Sequence, residues 1–544
     1  MIKQLKAKID GRGLDNAEII DAILENRGID NISSFLKPAE SDLVPFEEMI
    51  GLEEAHMIIE DAITMGEKFL VLADVDVDGA SAGAIMTRYL RARGADVQCV
   101  INKGKEHGAE NFDLKLLDDI SVMIIVDSIN NDPEIYRRII ETDTKLCVFD
   151  HHIPERKLLE SGVPFILVSS ANYYPNKELS GAGVALKYVL FADYANLTSY
   201  ADDLSLWLYG ALGLVSDMCS MSSPENRYIA YRGLSCYKNP MIKRVVGNYT
   251  FDSTAISFSI APLVNAGMRV NQNELSLNLF LEDDADEITE IVSALKQCRE
   301  LQNEIVESLM KDLLPQASQQ EDKKCMFFML PSDIDAEVTG LIANKLLAIY
   351  QRPLFVLRDR VEVDNETGEI IKHEYSGSMR AIGTSSFKEY VESTSYGWIA
   401  GHENAAGFGV DVDEFEDFKV AIEDALKDVE FSICVEADIE LEPNQINDAL
   451  IKQLVAFNRI SGADCPPIKV LVRTNDYEVS TFSTKKHLKI IDNETGLLIV
   501  KWNCSDWETM DNDGGIIAVG TLSSPVYGKK HFTQLTIDEY EQKK

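Results

Sequence analysis

At several places along this chain an apolar run ends in an aspartate. The clearest is Val71-Leu-Ala-Asp74-Val-Asp76-Val-Asp78-Gly79-Ala-Ser81, where the run closes on three alternate aspartates and a small-residue turn opens into a helical pattern from Ala82 to Leu90. Residues at i, i+2 and i+4 of an extended backbone share one side. The spacing predicts three carboxylates converging at the carboxyl end of a strand, where open α/β sheets bind ligands. Like charges held so close repel unless a cation neutralises them. Oxygen-rich sites of this kind suit Mg²⁺ or Mn²⁺. The bland alternative is an acidic turn beside an edge strand.

Three more segments repeat the pattern. Val122–Val126 ends at Asp127, Leu146–Phe149 ends at Asp150-His151-His152, and Gly210–Ser216 leads to Asp217. From Phe69 to about Gly247, strand-like runs alternate with helical segments, the mark of a mostly parallel sheet. Read as strands of that sheet, all four runs deliver Asp or His to one edge.

These residues resemble the four phosphoesterase motifs of the DHH superfamily, and within it the RecJ family of single-strand-specific 5′→3′ exonucleases. Ser180–Lys187, Glu225-Asn226-Arg227 with Gly233-Leu234, and Pro262-Leu-Val-Asn265-Ala-Gly267-Met-Arg269 are similar to later RecJ segments. Gly377-Ser378-Met-Arg380 and Gly401-His402-Glu-Asn-Ala405-Ala406-Gly407 resemble the signatures of the DHH-associated (DHHA1) domain. Three places depart from the pattern: Ile129 and Ala400 stand where the family has glycine, and Asn102–Gly108 only loosely follows its arginine-containing loop.

The resemblance implies a site and a reaction. Asp74, Asp76, Asp78, Asp127, His151 and Asp217 are the expected ligands of two divalent cations, Mn²⁺ preferred and Mg²⁺ allowed, with Asp127 as the bridge. Asp76, Asp78, Asp127, His151, His152 and Asp217 are the expected catalytic set. Asp150 would orient a histidine, as carboxylates behind metal ligands do. His152 could bind metal, contact the scissile phosphate or protonate the leaving oxygen. Asn265, Arg269, Ser378, Arg380, Gly401 and His402 would bind substrate, with Ala405-Ala406-Gly407 opening a helix toward a phosphate. The implied activity is hydrolysis of single-stranded DNA from its 5′ end to mononucleotides in repair, recombination or replication. The implied partners are single-stranded DNA and a single-strand-binding protein or helicase. The alternatives are a DHH nano-RNase or nucleotide phosphatase, and a RecJ-derived replication scaffold without catalysis. The residues after 432 and the complete ligand set argue against both.

The expected architecture is α/β. It comprises a helical N-terminal region (1–64), a DHH domain with a mostly parallel sheet (65–247), a connecting segment with a long helix (248–320), an α/β DHHA1 domain (321–428) and an OB-like β-barrel (432–544). Within the second domain Asp364–Gly368 reads as a hairpin turn. The pairs Lys485-Lys486 and Lys529-Lys530, near Phe482, Tyr527 and Phe532, have the composition of a single-strand platform.

The charge sets a boundary on partners. Lys and Arg number 52 against 90 Asp and Glu, a balance of −38. That excludes a broad cationic surface for duplex binding, but allows a confined groove in which metals and local basic groups supply the attraction. Nine scattered cysteines without a Cys-x-x-Cys pair argue against a zinc cluster or disulfide framework. With no membrane-length apolar run and no signal-peptide pattern at Met1–Lys8, the expectation is a cytoplasmic monomer away from membranes.

Overall fold

The computed structural model describes residues 2–29, 31–102, 108–171, 173–334, 336–363, 369–483, 487–502, 504, 514–527 and 530–542. The turn expected at Asp364–Gly368, the loop at 103–107, and Lys485, Lys486 and Lys529 lie outside the described residues.

The chain divides into two compact units. One comprises residues 14–300 and 447–468; the other comprises residues 1–13, 301–446 and 469–544.

The expected helical start of the chain needs correction. Ile2–Asp10 is a strand, β1, paired in parallel with the strand Ser432–Leu441. Leu5, Ala7 and Ile9 alternate with Gln4, Lys6, Lys8 and Asp10, the period of two that marks a half-buried strand. Leu5 and Ala7 pack against Ala437, Leu471, Ile517 and Val519. Helices follow only from Asn16–Asn26 onward.

The first unit is built on a five-stranded sheet, β2 (Lys68–Ala73), β3 (Asp96–Ile101), β4 (Val122–Val126), β5 (Lys145–Asp150) and β6 (Ile166–Ser169), ordered β3-β2-β4-β5-β6 and parallel throughout. The apolar runs of β2, β4 and β5 are almost wholly buried, as parallel strands covered on both faces must be. The chain crosses from β3 over β2 to β4, so the order reverses between β2 and β4. In doubly wound sheets the crevice at such a reversal, outside the carboxyl ends, is the ligand position.

Gly210–Ser216 is not a strand. It ends the helix Leu204–Ser216, whose residues from Leu206 to Val215 are all buried. A segment that is apolar on every side cannot be assigned by periodicity, and here the full length of the run decides for helix.

The second unit holds a mixed five-stranded sheet: β7 (Met326–Leu330), β8 (Leu354–Val363), β9 (Ile370–Arg380), β10 (Trp398–His402) and β11 (Ala405–Asp411), ordered β10-β11-β9-β8-β7. Ala405-Ala406-Gly407 therefore belongs to a strand between β9 and β10 and opens no helix. Seven strands between Ser432 and Gln542, with β1 at one end, form an eight-stranded mixed sheet, and Val526-Tyr527 pairs separately with Lys530-His531. A helix, Ala285–Ala317, precedes β7. Among the described residues no helix is long and apolar enough to cross a membrane.

Candidate metal centre

Strand β2 stops at Ala73, one residue before the first aspartate. The alternate-residue geometry expected for Asp74, Asp76 and Asp78 is thus replaced by a turn. Asp76 is the N-cap of the helix Val77–Ala92, its carboxylate accepting from the Gly79 amide at 2.8 Å, and Asp78 lies in that helix's first turn. The turn splits the three carboxylates. Asp74 and Asp76 gather with Asp127, and Asp78 gathers with His151 and Asp217. Each group presents one ligand atom per residue, all within 4.8 Å of one another.

Asp127 stands at the end of β4 with φ +58°, in the left-handed region that Asp tolerates better than most residues. Its amide donates to the Phe149 carbonyl at 2.8 Å, tying it to β5. Its Oδ1 is buried without a hydrogen-bond partner and lies 3.3 Å from His151 Nε2. The same nitrogen is 3.5 Å from Asp217 Oδ2. Asp217 caps the helix Leu204–Ser216, so a helix end completes what the strand ends begin.

Fixed backbone groups hold these carboxylates in place. Asp78 accepts from the amides of Gly181 (2.7 Å) and Ala182 (2.9 Å), the exposed donors at the start of the helix Gly181–Asn196. Ser128 Oγ donates to Asp74 at 2.9 Å and accepts from the Gly108 amide at 2.7 Å. A β-carbon on Gly181 would overlap Asp127, one on Gly213 would overlap Asp78, and one on Gly79 would sit 2.7 Å from Asp74. On the Gly181–Asn196 helix, Lys187 pairs with Glu225 at 2.8 Å, both buried, and Glu225 also accepts from Tyr174 at 2.7 Å. This network accounts for two of the motif segments that carry no ligand.

Asp150 is spent on structure. Its oxygens accept from the amides of Ile129, His151 (2.6 Å) and His152 (3.0 Å), and from His152 Nδ1 at 2.7 Å. It orients His152 and leaves that ring only Nε2 for a ligand. The Ile129 contact is through the backbone, so the side chain that replaces glycine points into the core under the sheet instead.

The charges at this edge are out of balance. Burial, then the neighbouring Asp78 and Asp74, push the Asp76 carboxyl up to about 7. Burial and the same acidic neighbours raise Asp127 well above the carboxylate range. Burial and Asp78 bring Asp217 to about 6. Asp150 moves the other way: burial opposes ionisation, but the His152 hydrogen bonds and charge overcome it. The Asp150 hydrogen bond in turn raises His152 to about 9. An orphaned buried oxygen among carboxylates that resist ionisation fits divalent cations, which would satisfy the oxygen and relieve the repulsion.

The expected substrate residues fall into two sets. Asn265 and Arg269 lie one turn apart on the helix Ala261–Arg269, in the same unit as the metal centre. Ser378, Arg380, Gly401 and His402 are in the other unit, where β11 registers Ala405 and Gly407 against Arg380 and Ser378 on one side and Ala405 and Ala406 against His402 and Gly401 on the other. Arg380 donates to Asn344 at 3.0 Å and to the Met379 carbonyl at 2.7 Å.

The expectations at the ligand positions missed Ser128 and the cradle glycines 181 and 213. A short polar residue after Asp127 and glycines inside apolar helical runs were the available signals.

Residues 68–210 match the model of the DHH family, N-terminal domain. The chain is 26% identical over 476 residues to a putative SPbeta prophage-derived single-strand DNA-specific exonuclease, YorK, of Bacillus subtilis, covering 81% of this chain and 80% of that protein. It is 25% identical over 553 residues to the single-stranded-DNA-specific exonuclease RecJ of the same organism, covering 96% and 67%. The fold matches the crystal structure of RecJ in complex with Mn²⁺ from Thermus thermophilus with a TM-score of 0.78, at 22% identity, over 100% of this chain and 80% of that one.

Proposed function

We propose that this chain, whose residues 68–210 form a DHH-family N-terminal domain, is a metal-dependent exonuclease that degrades single-stranded DNA from the 5′ end to 5′-mononucleotides. The observation that carries the reading is the buried, partnerless Oδ1 of Asp127 between two ligand groups, Asp74 with Asp76 and Asp78 with His151 and Asp217. Such a bridge belongs to two-metal phosphoryl chemistry. Similarity to exonucleases named for single-stranded DNA supports the substrate.

Asp127 would be shared by two divalent cations, Mn²⁺ before Mg²⁺ because an imidazole stands among the carboxylates. Asp74, Asp76, Asp78, Asp127, His151 and Asp217 would hold these cations, whose chemistry would be electrostatic stabilisation of phosphoryl oxygens and activation of a water. The remaining work falls to the chain. Asp78, fixed by two amides, holds its side of the site without reorganising as charge develops. His152, kept cationic near neutrality by Asp150, presents Nε2 to a phosphate oxygen or to the departing 3′ oxygen as a proton donor. Asn265, Arg269, Ser378, Arg380, Gly401 and His402 are assigned to the strand's phosphates, which guanidinium groups engage in a bidentate manner. A cytoplasmic monomer, delivered to its strand by a single-strand-binding protein or helicase, completes the proposal; the nine free cysteines agree with a reducing compartment.

Digestion of 5′-labelled and 3′-labelled single strands, with Mn²⁺ and with chelator, tests it. Metal-dependent release of a labelled mononucleotide first from the 5′ end is expected. Release starting at the 3′ end, or equal cleavage of blunt duplex, would overturn it.

A further inference from the structure

Residues 226–251 contain no Asp or Glu, although acidic residues outnumber basic ones 90 to 52 in the whole chain. The same stretch holds Arg227, Arg232, Lys238, Lys243 and Arg244 and four tyrosines. Arg227 is buried on backbone carbonyls, and Arg232 lies over the Trp207 ring, so those two are used internally. The others are not. Lys238, Lys243 and Arg244 are exposed and make no ion pair among the described residues.

Lys243 lines a cavity of about 440 Å³ within the unit that carries the metal centre, and Lys238 and Arg244 adjoin lining residues in sequence. Its walls are apolar, from Ile242, Val246 and Phe251, all buried. Its rim carries Tyr237, Lys243, Tyr249 and Arg459. Tyr237 is 56% exposed and Tyr249 86%, so both ring faces are open to a ligand. Lys238 Nζ sits 5.8 Å from the Tyr237 ring. Arg459 is held in place by its bond to the Leu234 carbonyl at 2.8 Å. The nearest acidic residue in sequence after the stretch, Asp252, has its carboxylate engaged with the Ala255 amide at 2.8 Å.

We propose that this cavity and its rim are a second subsite for single-stranded nucleic acid, sharing no residue with the metal centre. Bases stack on Tyr237 and Tyr249, one of them entering the apolar cavity, while Lys238, Lys243, Arg244 and Arg459 take the phosphates. Flat exposed rings alternating with cations match a nucleobase–phosphate repeat. An acidic peptide would use the cations alone and leave the rings uncovered. In a chain of net −38, a stretch of sequence without acidic residues, carrying exposed Lys238, Lys243 and Arg244, favours a polyanion over the more acidic remainder. The inference rests on the exonuclease reading for its ligand class.

The test is binding by the full chain in chelator, so that no strand is cut. Against a fluorescent oligothymidylate of roughly 30 nucleotides, Tyr237→Ala with Tyr249→Ala should weaken affinity roughly tenfold or more. Lys243→Ala with Arg244→Ala should flatten the salt dependence by about 1.4 log units per log unit of salt, for two lost phosphate contacts. An iodouracil-substituted strand should crosslink to Tyr237 or Tyr249. Wild-type affinity in both double variants, with no crosslink between residues 231 and 251, would overturn the subsite. So would patch-dependent binding of an oligoglutamate peptide with strand binding untouched, which would mark a protein dock instead. Digestion by the wild-type chain is scored separately: normal digestion with patch-independent binding rejects only the subsite, and patch-dependent binding without digestion rejects only the exonuclease.

Discussion

The metal centre and the Ser378–Arg380 face solve opposite problems. At the metal centre Asp127, Asp78 and Asp150 are buried, and their oxygens meet backbone amides or each other at spacings that glycines make possible. On the β9–β11 face Gly401 and His402 are exposed, and Arg380 leans on an amide side chain and a carbonyl. One region is fixed by buried backbone donors; the other presents exposed backbone and a ring, with two Arg380 nitrogens already engaged. The difference teaches where each cost falls. Crowding carboxylates destabilises the metal-free protein but leaves nothing to rearrange during reaction. Arg380 is partly buried, and burial disfavours its charge, so it too carries a cost in the free protein, one that an anion would relieve.

The comparison breaks first at Asp127. Asp127→Ala should reduce hydrolysis to background with the fold retained, because the Asp74–Asp76 group loses a carboxylate and His151 of the other group loses its neighbour at 3.3 Å; wild-type circular dichroism with residual activity above about a thousandth, on the order of magnitude expected for a whole catalytic unit, would refute the bridge. Gly213→Ala comes next. Its methyl would displace Asp78 without touching any ligand's chemistry, so a loss of roughly a hundredfold in kcat, and a weaker Mn²⁺-induced rise in Tm, is expected. Unchanged kinetics would mean that the carboxylate position is not critical.

Asp150→Asn sharpens the role of His152. Removing the carboxylate should cost about 10–100-fold in activity, as loss of a group behind a ligand does. The sign in pH follows from the shift: His152 is protonated below about 9 while Asp150 is present, and should lose its proton nearer its ordinary 6.5 without it. The alkaline limb of the kcat profile should therefore move to lower pH, and a profile that stays in place would exclude His152 as the proton donor. The smallest effect belongs to the open face. Arg380→Ala should weaken strand binding about tenfold, the low end for a charge-assisted contact, while the Mn²⁺ dependence of Tm stays as in wild type; a change in that dependence would show that the face is structural.

Much of the centre is legible in the amino-acid sequence. Val126-Asp127 and Phe149-Asp150 could be read as strand ends because a parallel strand buried on both faces is written as an unbroken apolar run. Asp217 is expected at a strand end but stands at a helix end beside His151, since Gly210–Val215 is apolar on every side and two periodicities fit it equally. The strand β1 carried its alternation openly in Leu5, Ala7 and Ile9, but its partner, Ser432–Leu441, lies at the other end of the chain, and no local pattern encodes a pairing.

The sequence alone determined which residues could bind a cation, because ligand chemistry is a property of side-chain type and their recurrence after apolar runs is a property of order. Only the tertiary structure decided how they divide. The turn after Ala73 sends Asp74 and Asp76 to one side and Asp78 to the other, the amides of Gly181 and Ala182 hold Asp78 there, and Asp127 is left with a buried oxygen that accepts no hydrogen bond and lies 3.3 Å from His151. That division depends on close approach between segments about a hundred residues apart, where the absence of a β-carbon matters as much as any charge.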